Sequence, residues 1–60
     1  MYAVLIHGKG FACWHPNVAP HGTVIGWKKK KDAAFYIRTN DIVDASVVDI
    51  SKIDVPVKLA

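Results

Sequence analysis

Glutamate and glutamine are absent from this 60-residue sequence, leucine occurs twice, and there is a single cysteine, Cys13. Each gap excludes something. Without Glu or Gln the chain lacks two good helix formers, and its only acid, Asp, disfavours helix interiors. One cysteine rules out an intramolecular disulfide framework and falls short of an all-thiolate metal site, so nothing points to an oxidising compartment. The longest strongly apolar run, residues 2–6, is far shorter than the ~20 residues of a membrane-spanning helix. No basic segment precedes it as in a secretory signal. The expectation is a soluble, intracellular, cytoplasmic protein with no membrane partner. As a single domain over residues 1–60, the chain buries only about 60% of the surface its unfolded form exposes. So thin a core has no room for a deep catalytic cleft.

What is present favours strands. Eight Val and six Ile outweigh the two Leu, and β-branched side chains pack well on a pleated surface while losing rotamer freedom in a helix. Charge is polarised along the chain. Residues 1–31 carry five lysines and no acid, whereas residues 32–60 carry three bases and five aspartates. Such polarity suits binding to an oppositely charged partner or association between copies.

Tyr2-Ala-Val-Leu-Ile6 predicts a first strand. Residues 7–22 follow as one long loop, set by Gly8, Gly10, Pro16, Asn17, Pro20 and Gly22. A loop of that length bearing Phe11, Trp14, His15 and His21 reads as functional. Residues 23–27 predict a second strand, with Gly26 at a bulge or a close backbone contact. Residues 28–32 form its turn. Residues 33–38 predict a third strand with Ala33, Phe35 and Ile37 on the core face and Ala34, Tyr36 and Arg38 opposite. After a turn at residues 39–41, residues 45–50 predict a fourth strand and residues 51–54 a short helical turn. Residues 55–59 then close the chain as an edge strand with Val55, Val57 and Leu59 inward, Pro56 confining it to an edge.

This order resembles an SH3-like small barrel: all-β, five-stranded, with a long loop between strands 1 and 2 and one short helical turn before the last strand. The stretch Gly22-Thr-Val-Ile-Gly-Trp27 is similar to the second strand of such barrels, including KOW and Tudor-like modules and the plasmid-borne dihydrofolate reductase family. In that reductase family a Val-Gln-Ile-Tyr stretch lines a shared pore. This chain has Val47-Val48-Asp49-Ile50 there, so the amide and the phenol are missing and the resemblance carries no catalysis.

Three constellations remain. Lys28, Lys29, Lys30 and Lys31, with Lys9 and Arg38, could contact the phosphates of RNA or DNA while Tyr36 or Trp27 stacks a base. Phe11, Trp14, His15 and Trp27 could instead anchor a protein partner or a multi-subunit complex, the lysines steering onto its acidic patch. Trp14, flanked by Gly10 and Pro16, is the residue expected to be exposed. His7, Cys13, His15 and His21 hold metal-ligating atoms but lack finger spacing, so no metal and no other cofactor is expected. Cys13 and His15 have no third group to orient them as a nucleophile and base. The expectation is a non-enzymatic binding module: first a small protein-docking adaptor or inhibitor, resembling phage-encoded proteins that block host machinery, and second a nucleic-acid binder. The exposed edges of so short a barrel also allow homo-oligomers.

Overall fold

The computed structural model describes residues 1–14 and 23–60. Five strands and one helix run in the order β1 (Tyr2–Ile6), β2 (Gly10–Phe11), β3 (Val24–Gly26), α1 (Lys30–Thr39), β4 (Ala45–Asp49) and β5 (Val57–Leu59). β1 lies at the centre of a three-stranded antiparallel sheet ordered β2-β1-β4, while β3 and β5 pair in parallel as a second sheet. This overturns the all-β, five-stranded SH3-like barrel. Among the described residues the sheets do not close into a barrel, and a helix stands where the third strand was expected.

The expected loop at residues 7–22 is partly sheet. Gly8 and Gly10 sit at φ +82° and +101°, conformations that glycine adopts without a Cβ penalty. They turn the chain so that Leu5 faces Phe11 and Ile6 faces Gly10. Beyond β2 the backbone stays paired: Ala12 N–H donates to the Val4 carbonyl, Ile25 N–H to Ala12, and Trp14 N–H to Thr23. Tyr2 and Trp27 exchange two backbone bonds of 2.8 Å, which stitches the end of β3 onto β1.

The segment at 33–38 is helical for reasons that a period of two hides. Ala33 and Ala34 favour a helix, Asp32 lies in its first turn and Arg38 in its last, each complementing the helix dipole. Ala33, Tyr36 and Ile37, spaced i, i+3 and i+4, pack on the core, while Phe35 is 62% exposed. The strand reading had put Phe35 inside and Tyr36 outside. The helix ends in a Schellman motif: Ile42 N–H donates to the Ile37 carbonyl and Asp41 N–H to Arg38, with Asp41 in the left-handed region at φ +50°.

β4 follows, pairing along the whole length of β1 from Tyr2 opposite Asp49 to Ile6 opposite Ala45. The helical turn expected at residues 51–54 is a single reverse turn, closed by Ile53 N–H donating to the Ile50 carbonyl at 3.1 Å. β5 then lies beside β3. A Cβ on Gly26 would stand 2.5 Å from Val57 Cγ1 and 2.9 Å from Met1 Sδ, so the crowding at Gly26 comes from side chains, where a bulge or a backbone contact was expected. Leu59, expected to face inward, is 39% exposed.

The core has two parts. Val4, Ala12, Ile25, Trp27 and Ala33 form one cluster, with Tyr36, Ile37 and Val47 packed on it. Ala3, Val24 and Ile50 form the other, covered by Phe11, Val48, Val55 and Val57.

Candidate binding surface

Trp27 ends β3 in the core, and the chain emerges from it as four lysines. Lys28, Lys29, Lys30 and Lys31 are all exposed. Lys29 is the helix N-cap, with extended backbone and no side-chain cap bond; its carbonyl accepts from Asp32 and Ala33 N–H. Lys30 and Lys31 occupy the first turn, where the helix already carries partial positive charge. For stability this is the wrong end for lysines. No carboxylate forms an ion pair with any of the four among the described residues; the pair found there is the Met1 amino group with Asp49, at 4.0 Å.

Helical spacing extends the basic surface. Lys31, Phe35 and Arg38 stand at i, i+4 and i+7, along one side of α1. All three are exposed. Arg38 also borders a shallow groove with Ile37, Asp41, Ile42 and Val43, and Val43 is 80% exposed. The result is a ridge of cations around an accessible aromatic ring.

The other expected contact residues are dispersed. Lys9 is exposed in the β1–β2 turn. Trp27, only 9% exposed, packs against Tyr36 with ring centroids 5.0 Å apart and planes tilted by 50°. The contact occupies one side of the half-buried Tyr36 ring, and the buried Trp27 has no surface to offer to a base or as an anchor. Phe11 is half-buried against the Ala3, Val24 and Ile50 cluster. Trp14 is 39% exposed, as expected of it. Its indole N–H donates to the Lys58 carbonyl at 2.9 Å, and the Lys58 ammonium lies 5.9 Å from its ring centroid. Trp14 therefore fastens the segment after β2 to β5. His15 lies outside the described residues.

Of the metal-ligating set, His7 Nε2 is 2.8 Å from Ser46 Oγ and the Cys13 thiol donates to the Phe11 carbonyl at 3.4 Å. His15 and His21 lie outside the described residues. No group of three or more His, Cys, Asp or Glu residues is gathered among those described. No helix among them is long and apolar enough to cross a membrane.

Phe35 is the surface residue that sequence reasoning missed. The signal was there in the spacing of Lys31, Phe35 and Arg38, legible only once the segment is read as a helix. Comparison with family models, curated proteins and solved structures finds no match to this chain.

Proposed function

We propose that this protein is a non-enzymatic binding module that engages the phosphate backbone of a nucleic acid through Lys28, Lys29, Lys30, Lys31 and Arg38. The observation that carries this reading is the run of cations, without carboxylate partners among the described residues, at the positive end of α1, beside the exposed ring of Phe35. A polyanion relieves the mutual repulsion of those lysines and releases its own counterions on binding. The nucleic-acid reading keeps Lys28, Lys29, Lys30, Lys31 and Arg38, leaves Lys9 apart in the β1–β2 turn, and puts the exposed Phe35 in place of the buried Trp27 and the half-buried Tyr36. A cytoplasmic location goes with it, since a lone cysteine requires no oxidising environment.

The exposure of Phe35 supports a second reading, in which the module docks onto an acidic protein surface as a small adaptor or inhibitor. Phe35 would be its anchor and the lysines would steer its approach. Phe11, Trp14 and Trp27 support this less well as anchors, because Phe11 is half-buried, Trp27 is in the core and Trp14 is bonded to β5.

Fluorescence anisotropy with labelled oligonucleotides across a salt series tests the first reading. Five phosphate contacts predict an affinity loss of about 100-fold or more between about 50 and 200 mM salt. Replacing Lys28, Lys29, Lys30 and Lys31 by Gln flattens the log–log salt slope by about three to four units. Absence of binding at low salt, or a slope unchanged in that variant, overturns the reading. A nuclease-resistant protein captured by the native chain but lost in Phe35→Ala favours the second.

A further inference from the structure

The outer edge of β4 is a backbone template left unpaired among the described residues. β1 lies between β2 and β4, and no strand among the described residues covers the far side of β4. Two bonds fix the phase of the ladder. His7 N–H donates to the Asp44 carbonyl at 2.8 Å, and Ile50 N–H donates to the Met1 carbonyl at 2.9 Å. Backbone groups alternate in direction along a strand, so positions 44, 46, 48 and 50 face β1. The N–H and C=O groups of Ala45, Val47 and Asp49 therefore point outward. No bond outside the sheet ladder reaches them among the described residues.

Edges of this kind are usually guarded by Lys, Pro or a bulge. β4 is Ala-Ser-Val-Val-Asp and has none of these. Its one charge is turned away from guard duty: Asp49 Oδ1 accepts from the Ser51 N–H at 2.9 Å and the Ser51 hydroxyl at 2.7 Å, and lies 4.0 Å from the Met1 amino group.

We propose that β4 pairs antiparallel with β4 of a second copy of this chain, about a two-fold axis at Val47, joining two three-stranded sheets into one ordered β2-β1-β4-β4-β1-β2. The axis can pass through an outward-facing residue, Ala45, Val47 or Asp49, or through Ser46 or Val48 as a pair without mutual hydrogen bonds; charge removes two of these five centres, and the length of pairing decides among the rest. Centred on Asp49, the two Asp49 carboxylates oppose each other. Centred on Ala45, Asp49 falls opposite Asp41 of the other copy. Centred on Val47, Ala45 meets Asp49, Ser46 meets Val48, and no two acids face each other. Like charges directly opposite destabilise a strand pair, and the Val47 centre alone uses all five residues of β4. The same patch serves both copies, as a closed two-fold interface requires. Because that axis runs perpendicular to the sheet, both copies of α1 lie on one face of it. The dimer is independent of what the lysines bind.

Sedimentation equilibrium of the full chain, paired with amide exchange by NMR, tests this. The mass should double with concentration, and the Val47 amide, which has no acceptor among the described residues, should slow its exchange in step. N-methylation of the Val47 amide in synthetic protein should abolish the dimer while the far-ultraviolet circular dichroism stays unchanged. Ala45→Asp, which sets two acids opposite in each half of the interface, should weaken association several-fold, and Ala45→Lys should strengthen it. A monomer up to about millimolar concentration overturns the proposal, since edge pairing of this kind must show by then. So does a dimer in which Val47 exchanges as fast as in the monomer, or in which the two Ala45 variants associate equally.

Discussion

On one side of β1, Val4 packs with Trp27 and Ala33 beneath α1; on the other, Ala3 packs with Val24 and Ile50 beneath β5 and the turn before it. The first side holds a tilted pair of large rings, Trp27 against Tyr36. The second is filled by small and β-branched residues, with Phe11 half-buried at its margin. The helix side supplies bulk, whereas the β5 side depends on the Val57 and Met1 side chains lying directly against the Gly26 backbone. In a chain of this size neither side suffices alone, because stability scales with the little surface each can bury.

Substitutions on the two sides should therefore fail in different ways. Trp27→Ala is expected to have the largest effect. Losing a buried Trp costs about 3–5 kcal/mol, against a total stability of about 3–9 kcal/mol for 60 residues. Far-ultraviolet circular dichroism at 25 °C should show the variant largely unfolded; a cooperative transition close to that of the native chain would remove the helix side from its leading place. Gly26→Ala tests the other side. The added methyl meets Val57 Cγ1 and Met1 Sδ, and overpacking of this kind costs about 1–3 kcal/mol. Urea unfolding should show a lower midpoint with an unchanged slope.

Smaller effects come from the ends of α1 and β4. Asp41 holds a left-handed conformation at φ +50°, so Asp41→Gly should stabilise the helix side by up to about 1 kcal/mol, seen as a raised melting temperature. Asp49 gives the smallest expected effect. The Ser51 N–H and then the Ser51 hydroxyl hold its carboxyl below the ordinary value of 3.8. A carboxylate depressed in the folded state stabilises above its unfolded pKa, and that contribution disappears as the pH falls from about 3.8 through the lower folded value. In Asp49→Asn the melting temperature should be slightly lower near neutrality and the acid limb of its pH profile flatter below pH 4, where variant and native chain converge.

The same comparison shows what was legible beforehand. β1 and β4 stood out as β-branched runs, and the expected segments at residues 2–6 and 45–50 match them to within a residue. The basic run at residues 28–31 needed no fold to be noticed. α1 did not stand out, because residues 33–38 satisfy an alternating pattern as well as a helical one. What decided between the two was tertiary: Tyr36 docks on Trp27, nine positions earlier in the chain. With Tyr36 inside, Phe35 must face out, so misreading the element hid the aromatic of the candidate surface. β2 has two residues and β5 three, too short for any periodicity to announce a parallel pairing between β3 and β5.

That parallel pairing also bears on how the chain reaches its fold. Val24 meets Val57, Ile25 meets Lys58 and Gly26 meets Leu59, so β3, already paired on one side with residues 12–14, gains its second neighbour only after α1 and β4 have been laid down. Closing so wide a loop costs entropy before any contact rewards it, and topologies dominated by such distant pairs fold slowly for their size. Until β5 arrives, β3 presents an open, fully apolar edge at Val24, Ile25 and Gly26. The interval before that arrival is when this molecule is most exposed to aggregation and proteolysis.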